Sequence, residues 1–137
     1  LFALGAGYAL FIAVNMALLH PFQYLAYNRL VGGLRGAQGR YELDYYCHSY
    51  GEAVRTLDRW IHTHRPGESN AVIRVYTADH PFSSTPFFPS SWVRVRDPAE
   101  ADYLISKEPF PHRPTLGVVE RQGVVLNTLQ GQAGDGR

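Results

Sequence analysis

The first nineteen residues, LFALGAGYALFIAVNMALL, carry no charge, and Asn15 is their only strongly polar side chain. At ~1.5 Å per residue such a run extends roughly 28 Å as a helix, close to the ~30 Å hydrocarbon core of a bilayer. A secretory signal would show a basic start and a small-residue cleavage site, whereas here the run is followed by His20-Pro21. A buried core helix of this length would carry a polar stripe. The expectation is therefore a transmembrane helix over 1–19. Gly5, Gly7, Ala3, Ala6, Ala9 and Ala13 give it small faces for packing against other helices. The chain opens on Leu, already inside the run, as a segment cut from a longer protein would.

The stretch after it, HPFQYLAYN, is aromatic. Pro21 stops the helix, and Phe22, Tyr24 and Tyr27 suit an interfacial depth. Arg29, Arg35 and Arg40 follow, which on the positive-inside rule alone places this flank in the cytoplasm. Residues 30–40, LVGGLRGAQGR, hold four glycines in eleven positions. They read as a surface loop with positive-φ positions. A phosphate cradle of backbone N–H groups is the alternative, although the spacing GGxxGxxG is neither a P-loop nor the dinucleotide fingerprint.

Beyond this connector, Ser49 and Glu52 have capping-box spacing. Ala53, Val54, Leu57, Trp60 and Ile61 recur at helical period before Arg65-Pro66-Gly67. Residues 71–76 (AVIRVY), 92–95 and 101–106 (ADYLIS) read as strands. Between the first two, residues 77–91 hold three prolines and three phenylalanines and read as a long irregular loop. Asp97-Pro98-Ala99-Glu100 predicts a capped short turn of helix. Residues 116–120 and 124–129 flank Arg121-Gln122-Gly123 as a hairpin. Removing nineteen residues from 137 leaves 118, enough for one modest core and too few for two. The predicted fold is α/β: an N-terminal transmembrane helix followed by a small Rossmann-like α/β domain with an antiparallel edge hairpin. The expected organisation is a spanning helix over 1–19, a membrane-surface aromatic and glycine-rich connector over 20–48, a soluble α/β domain over 49–130, and a disordered tail over 131–137.

Composition narrows the chemistry. Thirteen Lys+Arg against twelve Asp+Glu give a net charge of +1, which offers no electrostatic case for nucleic acid. Only Lys107 of the basic residues is a lysine, a bias that points to a GC-rich genome more readily than to a binding patch. Cys47 is the sole cysteine, so an internal disulfide and a thiolate metal site are excluded. Six histidines are scattered without HxxxH or HExxH spacing, and His62 and His64 complement a helix C-terminus without any ligand. Glu42 and Asp44 would share a face in an extended segment, suited to acid–base work, to a cation, or to pairing with Arg35 or Arg40.

In order along the chain, HPFQYLAYNRLVGGLRGAQGRYELDYY followed by SYGEAVRTLDRW resembles the segment after the last membrane helix of bacterial polyprenyl-phosphate-sugar-dependent glycosyltransferases. These are family 39-like enzymes of GT-C fold, similar to the dolichyl-phosphate-mannose–protein mannosyltransferases. Their pattern runs approximately HPYxYxYFNxLVGG, GAxGRxExDYW, then a helix with SxxEA. The matching residues are His20, Pro21, Tyr24, Tyr27, Asn28, Leu30, Val31, Gly32, Gly33, Gly36, Ala37, Gly39, Arg40, Glu42, Asp44, Tyr45, Ser49, Glu52 and Ala53. About forty residues are covered densely. Tyr46 stands where the family often has Trp, and Cys47-His48 replaces a usual glycine and small polar residue.

The resemblance implies an integral membrane transferase of the bacterial inner membrane, with this domain on the periplasmic or extracytoplasmic face. That placement overrides the arginine argument. It also implies that the catalytic carboxylate lies in an external loop elsewhere, so no catalytic residue, metal or cofactor is expected within these 137 residues. The implied partners are the bilayer, the remaining transmembrane helices and a lipid-phosphate-linked sugar donor. Candidate carrier- or substrate-binding residues are Gly32, Gly33, Gly36, Arg35, Arg40, Glu42 and Asp44. The alternative is a membrane-anchored, extracytoplasmic scaffold domain without activity that uses the aromatic loop 81–89 to bind a partner.

Overall fold

The computed structural model describes residues 2–27, 30, 32–45, 47–68 and 71–132. Asn28, Arg29, Val31 and Tyr46, together with the predicted tail from residue 133 on, lie outside the described residues. The chain divides into two compact units, 1–45 with 120–124 and 46–119 with 125–137.

The apolar run folds as helix α1, Phe2–Leu18, with no buried residue. The expected transmembrane helix is corrected here: no helix among the described residues is long and apolar enough to cross a membrane. The helix stops after seventeen residues, about 25 Å against a ~30 Å hydrocarbon core, and a turn begins at Leu19. Asn15 donates back to the Phe11 carbonyl at 2.8 Å, so the one polar side chain is satisfied within the helix.

The rest of the first unit is the connector. A 3-10 turn at Gln23–Leu25 follows Phe22, which is buried and lies under the Arg121 guanidinium at 4.8 Å. The glycine-rich run, read from sequence as a loop, holds helix α2, Gly33–Ala37. Gly32 enters it at φ 84°, and a side chain there would approach the Gly36 Cα to 3.0 Å. This turn therefore needs glycine for both its backbone angle and its close approach. Leu34 and Ala37 are buried, and tertiary contact outweighs the poor helix propensity of glycine.

The second unit is built on helix α3, Ser49–His64, whose Tyr50, Ala53, Val54, Leu57 and Ile61 are buried at helical period. Strands β1 (Ile73–Thr77), β2 (Trp92–Val95), β3 (Tyr103–Ser106), β4 (Thr115–Arg121) and β5 (Val124–Gln130) form one sheet in the order β2-β1-β3-β5-β4. β1 pairs in parallel with β2 and β3, and β3 pairs antiparallel with β5, so the sheet is mixed. All four residues of β3 are buried, as a central strand requires. Gln122 and Gly123, at φ 51° and 75°, make the two-residue turn of the β4–β5 hairpin, whose tip counts with the first unit. Asp97 caps the 3-10 turn Pro98–Glu100 by accepting from the Ala99 N–H at 2.8 Å.

Candidate functional site

Of the residues chosen from sequence, all lie in the connector, and their side chains divide by environment. Asp44 is 1 % exposed, has φ 55°, and accepts a hydrogen bond from the Tyr24 hydroxyl. Glu42 is exposed, and its backbone carbonyl accepts from the Tyr27 hydroxyl at 3.3 Å. The two carboxylates do not share a face. Tyr27 also stacks on Tyr41, with ring centroids 5.8 Å apart. Arg35 donates from Nε to the Gln122 carbonyl at 2.9 Å, which commits one edge of its guanidinium to the hairpin turn. Gly123 in that turn has φ 75°, a conformation that favours glycine, and the Arg35 guanidinium packs against it. Arg40 is exposed. Gly33 is half-buried and bends at φ 64°, and Gly36 lies in α2.

In open α/β sheets ligands favour the carboxyl ends of parallel strands where the strand order reverses. Here the carboxyl end of β1 is occupied by the protein's own polar groups. Arg94 on β2 donates to Thr77 Oγ1 at 2.8 Å, to the Thr77 carbonyl at 3.0 Å and to the Asp79 carbonyl at 2.7 Å. Ser84, fully buried, lies 3.0 Å from Thr77 Oγ1 and donates to Asp79 Oδ1 at 3.2 Å. Asp79 Oδ2 is buried without a hydrogen-bond partner among the described residues. Burial pushes the Asp79 carboxyl above its usual range, against hydrogen bonds from Thr77 and Ser84 and the charge of Arg94.

This knot explains why the segment after β1 is ordered where an irregular loop was expected. His80 accepts from the Phe82 N–H at 3.5 Å, Pro81 starts helix α4 (Pro81–Ser84), and a 3-10 turn follows at Thr85–Phe87. Two of the three phenylalanines here are used in the fold. Phe87 lies against Gly51 and under Arg55, and Phe88 packs edge-on to Trp92. Phe82 stays exposed, stacked on His80 at 5.0 Å.

At the opposite end of β1 and β3 lies an open cavity of about 250 Å³, lined by Arg65, Glu68, Asp102, Tyr103 and Gln132 with the aliphatic stretch from Ala71 to Ile73. Tyr103, nearly buried, donates from its hydroxyl to Glu68 Oε2 at 2.8 Å. Asp102 accepts from the Arg74 N–H at 2.8 Å, from the Arg74 guanidinium at 2.9 Å and from Gln132 at 3.0 Å. Burial pushes the Asp102 carboxyl up, but the bonds and charge of Arg74 outweigh it and hold the carboxyl below its usual range. The same contacts raise Arg74. Sequence reading missed this group because Glu68 and Asp102 come from separate elements and share no motif. Among the described residues no group of three or more His, Cys, Asp or Glu is placed to hold a metal ion.

No protein-family model, curated protein or solved structure matches the chain.

Proposed function

We propose that this chain is the C-terminal domain of an integral membrane glycosyltransferase that moves a sugar from a polyprenyl-phosphate carrier to an acceptor. In this reading the domain is not catalytic by itself and sits on the extracytoplasmic face of a bacterial cell membrane. One observation carries the reading. Polar residues that match the family's ordered pattern make contacts with one another: Tyr24 bonds Asp44, and Tyr27 bonds the backbone of Glu42. The matching tyrosines are thus tied to the matching acidic run within one compact unit.

The roles then separate. Asp44 holds the connector together. Arg40, exposed beside the glycine-rich turn, offers a guanidinium suited to the carrier phosphate. Glu42, exposed two residues on, offers acceptors to sugar hydroxyls.

The test is transfer from a labelled polyprenyl-phosphate hexose by membranes containing the complete gene product. Transfer by the complete product and none by the 137-residue chain is the expected result. A complete product that carries a single apolar anchor and transfers nothing would overturn the reading.

A further inference from the structure

We propose that the cavity at the amino ends of β1 and β3 binds one neutral sugar ring, a binding that does not depend on the transferase reading above.

Charge selects the class of ligand. Arg65 lies 3.4 Å from Glu68, and Arg74 lies 2.9 Å from Asp102, so the charges around the cavity cancel in pairs. A phosphate or carboxylate would meet two carboxylates on the walls, and a cation would meet Arg65 there and Arg74 bonded to Asp102. A neutral ligand meets neither repulsion. Arg65 and Gln132 bring donors to the wall, and Glu68 and Asp102 bring acceptors. Hydroxyl groups both donate and accept, so a ring of hydroxyls can satisfy such a wall where a pure donor or pure acceptor cannot.

The wall is also held in place before a ligand arrives. The nearly buried Tyr103 fixes one oxygen of Glu68, and Arg74 with Gln132 fixes both oxygens of Asp102. Fixed acceptors lose little further freedom on binding. Ala71, Val72 and Ile73 supply an aliphatic border, and Val72 is 70 % exposed. A pyranose has one C–H face that can cover such a border. The volume of about 250 Å³ lies below the ~300–1,000 Å³ of pockets for drug-sized ligands, so it takes one ring and not a chain of them.

The experiment uses the whole chain in a detergent without a sugar headgroup. Amide chemical shifts are followed on adding methyl α-D-mannopyranoside, the glucoside and the galactoside, with inorganic phosphate as a separate titrant. At least one hexoside is expected to bind with a dissociation constant on the order of 1–10 mM, as a few water-competed hydrogen bonds allow. The shifts should centre on Val72, Tyr103 and Gln132.

Gln132→Leu should weaken binding roughly tenfold by removing, at an exposed position, the amide that holds Asp102 Oδ1. Glu68→Gln, which still accepts from Tyr103, should weaken it less and leave the melting temperature unchanged. No hexoside shift at tenfold higher concentration would overturn the site, as would phosphate moving these residues in place of the hexosides. Unchanged affinity in Gln132→Leu would also overturn it. Hexoside binding by a protein whose complete form transfers nothing would keep the site and overturn the transferase reading alone.

Discussion

Tyr24 donates its hydroxyl proton to Asp44, twenty residues further along the chain, and the accepting carboxylate is 1 % exposed. The backbone of Asp44 is left-handed at φ 55°, a conformation aspartate tolerates better than most residues. The bond ties the aromatic entry of the connector to its acidic exit. A carboxylate that looks from sequence like a substrate contact is committed to holding its own segment together.

Asp44→Ala should therefore act on stability. It leaves the Tyr24 hydroxyl without this acceptor and puts a β-carbon with no polar group into a left-handed position, together costing about 1–3 kcal/mol. Asp44→Asn keeps an acceptor and the backbone preference, and should cost less. Denaturant midpoints measure both. If the transferase proposal holds, transfer by the complete gene product at a temperature where the protein is folded should stay unchanged. Lost transfer with an unchanged midpoint would show instead that Asp44 contacts substrate.

Gly51 and Phe87 make a second pair whose sign can be worked out. Gly51 lies in the first turn of α3, and a Cβ there would come within 2.9–3.1 Å of three Phe87 ring atoms. Alanine favours a helix over glycine by up to ~1 kcal/mol, but here it would push the ring off its seat under Arg55. Gly51→Ala alone is expected to be neutral or destabilising. In a Phe87→Ala background the same substitution should stabilise by roughly 0.5–1 kcal/mol. A double-mutant cycle in urea reads the coupling, and equal effects in both backgrounds would mean that the ring does not press on Gly51.

What could be read in the sequence was what depends on near neighbours. The 3.6-residue period of Ala53, Val54, Leu57, Trp60 and Ile61 marks α3, and Arg121-Gln122-Gly123 between apolar runs marks the hairpin. The glycine run misleads because propensity opposes a helix there, while burial of Leu34 and Ala37 favours one. The end of α1 was read one residue too far, and that residue matters for a helix already near the minimum span. The groups that order residues 77–91 are out of reach of any local pattern. Arg94 meets Thr77 from seventeen residues away, and the meeting depends on β1 and β2 pairing in register. Tyr103 meets Glu68 across thirty-five residues for the same kind of reason.

Acid should separate Asp79 from Asp102, because their carboxyls are displaced in opposite directions. Burial raises Asp79 above its unfolded value, so the folded state binds that proton more tightly than the unfolded chain does. Its stabilising contribution is present below the ordinary carboxylate range and is lost as pH rises through the folded pKa. For Asp102 the contacts from Arg74 outweigh burial and lower the pKa. Its contribution is present above the ordinary carboxylate range and is lost as pH falls through the folded pKa. Asp79→Asn should thus compare with wild type more favourably at about pH 7 than at about pH 4, while Asp102→Asn should compare less favourably at the higher pH. The quantity to read is the change in melting-temperature difference between the two pH values. Whatever fixed cost each asparagine adds cancels in that change. Equal displacements at both pH values would show that neither carboxyl is shifted by its surroundings.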